Sequence, residues 1–301
     1  MADDKVRTFP WLRLFLVFSV TALTLVLFFG FYDYKKAFSI LRGADFGAWT
    51  AAFFFFLLGH FLRLLRYNVV MGWGVSLKSF AIVSGHGFWA YFMPLRLGEL
   101  VFPYFAKMAG LSTFSNALSS LFWTRAADAF IVLFLGFSLI VYYFFSETNN
   151  LIEFRWVSRE VVFILFSFLL FVSLFALFFV FRNKMVKLAY FSPAFLIFTA
   201  AIWLCVLAYN YYIGLSIGIG MNLGQLVILV LLLTFGYFLP LQGVAGAGVH
   251  EVAWLSVIAM GSVGKADAFI YAVASHFLVA LMVVLLGLCS LLLITLSRYR
   301  E

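Results

Sequence analysis

The chain has 301 residues, 66% of them hydrophobic and only 11% charged, with a net charge of +8 and a mean hydropathy of +1.11. A surface wetted by water needs about a quarter charged residues, so a water-soluble globule is excluded. Forty-one phenylalanines and the scarcity of polar loops point to lipid as the solvent. The expected fold class is an all-α polytopic integral membrane protein, a single transmembrane domain over residues 1–301, with the surplus Lys and Arg marking cytoplasmic loops rather than a nucleic-acid surface.

In chain order, a span needs about 20 apolar residues, and full-length candidates are 11–31, 47–65, 117–145, 161–181, 194–213 and 267–296. The first follows Lys5, Arg7 and Arg13, but its apolar run is too long for a signal peptide and no small-residue cleavage site follows it. His60, Arg63 and Arg66 fall at the end of the second candidate, where long basic side chains snorkel to the headgroups. Cys205 and Cys289 sit inside apolar runs and are expected to be buried free thiols.

Two stretches, 79–110 and 225–261, are apolar but broken near the middle by Pro and Gly. Pro94 and Pro240 each lack a backbone donor and clash with the preceding helical turn. The glycines that follow, Gly98 in one stretch and Gly243, Gly246 and Gly248 in the other, permit a reversal. Both stretches are therefore expected to form re-entrant helical hairpins beside about six full spans. With the N-terminus cytoplasmic and each hairpin returning to its own side, twelve Lys and Arg residues fall inside and six outside. That bias puts both termini in the cytoplasm; the expected location is the plasma (cytoplasmic or inner) membrane.

The two broken stretches also repeat a phrase, "YFMPLRLGE" at 91–99 and "YFLPLQGVAGAGVHE" at 237–251. Each copy ends on a glutamate and then reaches a glycine, Gly110 or Gly261. Fifteen residues later comes a basic-type residue, Arg125 or His276. The halves, about 47–145 and 194–296, are expected to form an inverted repeat, an arrangement many secondary transporters use.

Glu99 and Glu251 are the leading site candidates, because an ionisable group at the bilayer centre is costly and normally faces a cavity or a partner. Arg125 and Asp128 lie i, i+3 and share a helix face. They form either a local ion pair or an arginine fork for a lipid phosphate, oriented by the aspartate. Arg96 is a second phosphate-binding candidate, and His276 stands where Arg125 stands in the other copy. His60, His86 and His250 receive no role. "HEVAW" is not a zinc-protease motif and "GVAGAG" follows no strand, so no metal, nucleophile or cofactor is expected.

The stretches "RLLRYNVVMGWGVSLKSF" and "MPLRLGELVFPYFAKMAGLSTFSNALSSLFWTRAAD", with "LPLQGVAGAGVHE" in the second half, resemble the lysylphosphatidylglycerol synthase transmembrane region, or flippase-like domain, family. The resemblance rests on Pro94, Arg96, Gly98 and Glu99, on Arg125 and Asp128, and on Pro240, Gly246, Gly248 and Glu251. It departs at Leu95, at Ala245, and by one residue inserted between Pro240 and Glu251. It implies translocation of membrane lipids, in the family of aminoacylated phospholipids or of lipids in polyprenyl-phosphate and hopanoid pathways. It does not imply lysyl transfer, since the aminoacyl-transferase domain is absent from this chain.

The leading expectation is thus a non-enzymatic flippase or transporter for an anionic, aminoacylated or polyprenyl-phosphate-linked lipid, with a proton as candidate coupling ion. Two others stand beside it. One is an intramembrane enzyme acting on a polyprenyl phosphate, with Glu99, Glu251 and the histidines as acid and base. The other is a membrane scaffold for a lipid-modifying or glycosyltransferase partner. Under the leading expectation both Glu→Gln variants keep the fold and lose transport.

Overall fold

The computed structural model describes residues 34–145, 192–238, 243–261 and 263–298. The span candidates 11–31 and 161–181, and Pro240, lie outside these residues. Every described regular element is helical: α1 (Tyr34–Arg42), α2 (Phe46–Met71), α3 (Leu77–Phe92), a 3₁₀ turn (Pro94–Leu100), α4 (Val101–Met108), α5 (Phe114–Phe145), α6 (Pro193–Ser216), α7 (Leu223–Phe238), a second 3₁₀ turn (Val244–Gly246), α8 (Val249–Ile258) and α9 (Lys265–Arg298).

Four of these, α2, α5, α6 and α9, are long and apolar enough to cross a membrane. Their apolar stretches of 24 to 27 residues reach about 36–40 Å at ~1.5 Å per residue, more than the ~30 Å of hydrocarbon. Large apolar side chains remain exposed on them, including Phe54 and Phe61 on α2, Phe122 and Phe134 on α5, and Leu288, Leu291 and Leu292 on α9. Cys289 belongs to that exposed row, so of the two free thiols only Cys205 is buried; the sequence places both in apolar runs but does not say which face each takes.

α2 starts at Asp45, whose carboxylate caps the Gly47 and Ala48 amides, and stops at Gly72, which takes the left-handed conformation (φ 67°). It continues six residues beyond the expected boundary at 65, so His60, Arg63 and Arg66 lie inside it rather than at its end. α2 packs along most of its length against α6. The Asp45 amide donates to the Ser216 carbonyl, and Val70 packs with Phe195, so the two helices run antiparallel. α3 leaves shortly after the end of α2, and α7 shortly after the end of α6. The two broken segments therefore start at opposite ends of the α2–α6 pair.

α3 and α7 each have 16 residues, about 24 Å, too short to span. Each is followed by a 3₁₀ turn and a second short helix that packs back on it, and the two 3₁₀ turns touch. α3 lies antiparallel to α9, with the Ser290 hydroxyl donating to the Ala81 carbonyl at 2.7 Å and the Tyr91 ring edge-on to His276 near the turn. The two breaks are made by different means. Pro94 opens the first 3₁₀ turn, and at Gly98 a Cβ would collide with the Trp89 carbonyl and the Ala90 amide. The second uses left-handed backbone at Ala245 (φ 58°), Gly246 (φ 77°) and Gly248 (φ 88°).

Gly98→Ala should therefore lower the melting temperature of the purified protein by several degrees, in line with the ~1–3 kcal/mol typical of overpacking. Gly220→Ala is the control, since an added methyl there meets nothing within 4 Å. Equal melting of the two variants would show that the first break does not depend on that close approach.

Candidate functional site

Four helices and the first 3₁₀ turn are joined by a chain of alternating charges that runs from the part-buried Glu99 and Arg125 to the buried Asp128 and Arg66. The Glu99 carboxylate accepts from Arg125 Nη2 at 2.7 and 2.9 Å and from His86 Nε2 at 2.9 Å. Arg125 reaches Asp128 with Nη1 at 3.5 Å. Asp128 in turn accepts from Arg66 Nη1 at 2.5 Å, Arg66 Nη2 at 3.2 Å and Trp203 Nε1 at 3.2 Å. Arg66 also approaches the Thr199 hydroxyl, which itself donates to the Phe195 carbonyl. Charges in an apolar interior persist when paired and fully hydrogen-bonded.

This geometry revises two sequence expectations. Asp128 is held mainly by Arg66 across 62 residues of sequence, and its i, i+3 contact with Arg125 is the longest of the set. Arg66 does not snorkel: it is 1% exposed. Both changes have one cause, the extension of α2 past the boundary expected from hydropathy. That extension brings the Arg66 turn level with Asp128 on α5.

The second carboxylate stands in a separate cluster. Glu251 Oε2 accepts the Gly248 amide at 2.8 Å, capping α8, while Oε1 meets His276 Nδ1 at 2.5 Å. His276 Nε2 lies 2.9 Å from the Ala245 carbonyl, and its ring stacks on His250, with centroids 4.4 Å apart. His250 Nε2 pairs with the Ser275 hydroxyl. A carbonyl only accepts, so His276 donates there through Nε2–H. One proton is left for the Nδ1–Oε1 contact. The pair is an imidazolium with a carboxylate or an imidazole with a carboxylic acid, neutral overall in either form.

A cavity of about 250 Å³ lies beside the first network. Its wall comprises Gly59, His60, Arg63 and Tyr67 of α2, His86 and Tyr91 of α3, Glu99, Arg125, Trp203 and Asn210 of α6, Thr234 and Tyr237 of α7, and His250. Glu99 and Arg125 thus face it as expected for a binding site. Asp128, Glu251 and His276 do not line it; Glu251 is turned back onto its own helix start and His276. The Arg96 side chain lies outside the description, although its backbone is in the first 3₁₀ turn. Among the described residues no group of three His, Cys, Asp or Glu side chains is placed to hold a metal.

Sequence reasoning passed over Arg63, His86, Asn210 and Trp203. Spacing carried a signal for most of them. His60, Arg63 and Tyr67 recur on α2 at steps of three and four, and Thr199, Trp203 and Asn210 on α6 at steps of four and seven, spacings that keep side chains on one face.

Asp128→Asn should destabilise the protein by about 3–5 kcal/mol, because it leaves Arg66 buried without its carboxylate. Replacing both partners, Arg66→Met with Asp128→Leu, should restore most of the loss, since no charge is then stranded. Melting of the two single variants and the double variant in one detergent measures the coupling. Additive losses would show that the pair is not coupled. Glu99→Gln should behave like Asp128→Asn, contrary to the expectation that both glutamine variants spare the fold. Glu251→Gln should melt like the parent, because His276 can lose its proton and Arg125 cannot.

Comparison of the chain with protein-family models, with curated protein sequences and with solved structures yields no match.

Proposed function

We propose that this chain is a flippase-type transporter of membrane lipids with anionic headgroups, akin to the flippase-like domain family it resembles. The observation that carries the reading is the polar, arginine-lined cavity set among helices of membrane-spanning length, beside two touching helix breaks. A polar cavity in an apolar bundle serves a polar cargo, and broken helices meeting near mid-membrane are how secondary transporters build such sites. The lipid's head would occupy the cavity while its chains stay in the bilayer.

In this reading the two broken segments are re-entrant hairpins of an inverted repeat, with halves at about 47–145 and 194–296. The opposite starting ends of α3 and α7 support it. So does the matched pairing of each glutamate with a residue of the following long helix, Glu99 with Arg125 and Glu251 with His276. The Glu251–His276 contact, which holds one proton in either of two arrangements, is the group we assign to proton coupling. Both termini are cytoplasmic. With Arg63 and Arg66 facing the interior, the charge count becomes ten inside against six outside and keeps its sign.

Purified protein in liposomes should accelerate the flipping of labelled anionic lipids over empty vesicles. No acceleration across a broad panel of headgroups would overturn the proposal. Glu251→Gln should insert and melt normally yet lose flipping; parental rates in that variant would remove the pair from the cycle. Single cysteines placed at 111–116 and 262–266, in a background lacking Cys205 and Cys289, should be labelled from the cytoplasm and from outside respectively. Labelling of both from one side would overturn the topology.

A further inference from the structure

The cavity wall carries a cation that the buried network leaves uncompensated. Arg63 Nη1 lies 3.4 Å from His60 Nδ1, but that nitrogen is nearer the Phe56 carbonyl, at 3.0 Å. A carbonyl can only accept, so the Nδ1 proton is directed to Phe56 and no lone pair faces the arginine. Among the described residues no carboxylate lies within ion-pair distance of Arg63. Asp128 acts on it from farther away and is already held by Arg66. Wall and network together hold Arg63, Arg66 and Arg125 against Glu99 and Asp128. With the histidines neutral, one positive charge remains. An unpaired charge in an apolar interior is costly, and an anion relieves that cost.

Besides the Nε–H groups of Arg66 and Arg125, two neutral side chains on the same wall each have a buried polar atom without a partner. Asn210 is 1% exposed; its amide donates to the Val206 carbonyl at 2.9 Å and its Oδ1 bonds to nothing. The Tyr91 hydroxyl is also buried without a partner. An orphan carbonyl oxygen calls for a donor, and a phenol can serve as donor or acceptor. The complement of this wall is therefore an anion of one charge bearing hydroxyl groups. A zwitterionic head would supply a donor but leave the surplus positive charge uncompensated. The volume, about 250 Å³, lies below the ~300–1,000 Å³ of sites that enclose a whole drug-sized ligand, so it fits a headgroup and not acyl chains.

We propose that Arg63 anchors a phosphodiester monoanion whose small, uncharged, hydroxyl-bearing head reaches Asn210 and Tyr91. The assignment of that phosphodiester to a lipid rests on the transporter reading; the anchor itself does not.

The test uses the purified full chain in phosphatidylcholine nanodiscs, titrated with labelled phosphatidylglycerol, phosphatidylethanolamine and phosphatidic acid. Chain-free glycerophosphoglycerol serves as a soluble competitor. The parent should bind phosphatidylglycerol at least about tenfold more tightly than phosphatidylethanolamine, the scale of one charge-assisted hydrogen bond. Arg63→Gln should abolish that preference and Arg63→Lys should keep most of it. Asn210→Leu should spare the preference for an anion but narrow the gap between phosphatidylglycerol and phosphatidic acid. Folded Arg63→Gln protein that keeps the parental preference would overturn the proposal. If that variant does not fold, an unchanged gap between phosphatidylglycerol and phosphatidic acid in folded Asn210→Leu would overturn it equally. Competition by glycerophosphoglycerol at the lipid's own concentration would overturn the lipid source and leave a soluble phosphodiester as the ligand. Flipping measured on the same variants separates the two claims. A parent that flips lipid, with Arg63→Gln showing an unchanged headgroup ranking, sinks the anchor alone. A parent that binds through Arg63 but flips nothing sinks the transporter alone.

Discussion

The described structure depends most on the pairing of four permanent charges in its interior, which leaves Arg63 on the cavity wall as the exception. Arg66, Asp128, Arg125 and Glu99 alternate in sign across α2, α5 and the first 3₁₀ turn, with Trp203 of α6 and His86 of α3 adding hydrogen bonds to the two carboxylates. Apolar side chains alone tolerate sliding, because one leucine contact resembles another. A bidentate arginine–carboxylate pair tolerates little, because it fixes both distance and plane. The network therefore sets the rotation of α2 against α5 and the depth to which the first broken segment reaches. The cavity is then the space left on the α2 side of those fixed groups.

The two breaks differ in how they are held, and the difference follows from their chemistry. At the first, Gly98 lets the chain come down onto the Trp89 backbone, and Glu99 is clamped by an arginine that cannot give up its charge. At the second, left-handed backbone at Ala245, Gly246 and Gly248 turns the chain, and Ala245 does so without being glycine. Strain of that kind persists only where surrounding contacts over-determine it. Here the Ala245 carbonyl is the acceptor for His276 Nε2, and the same imidazole holds Glu251.

The helical membrane class, the four long described helices and the two helix breaks were legible in the sequence. Length, hydropathy and the Pro–Gly phrases act locally, so a linear reading captures them. The pairings of Arg125 with Glu99 and of His276 with Glu251 were visible only as matched spacings, because the order glutamate, glycine, basic residue occurs twice, and not as contacts. Arg66 with Asp128 was not legible, since it joins residues 62 apart and depends on where α2 ends. Hydropathy loses the helix where Arg63 and Arg66 appear, whereas the helix itself stops only at the left-handed Gly72. Treating two interior arginines as headgroup anchors was the consequence, and it hid the cation on the cavity wall. The polar stripes of α2 and α6 were visible as spacing, but only their mutual packing turns them inward.

The two clusters meet at Tyr91, which lines the cavity and lies edge-on to His276 near the contact of the two turns. One cluster contains charges fixed by arginines; the other contains a pair that can redistribute a single proton without changing its total charge. A cycle that opens the site to one side and then the other needs a rigid half to hold the cargo and a half whose local bonding can change at low cost. The first network has the first property. The second has the other: a further proton on the imidazole–carboxylate pair leaves an imidazolium facing a neutral carboxyl, so the Nδ1–Oε1 hydrogen bond loses its ion-pair strength while Nε2 still holds the Ala245 carbonyl. In the transporter reading, the second break is then the element that yields, and the Tyr91 ring is the contact through which its state reaches the occupied cavity.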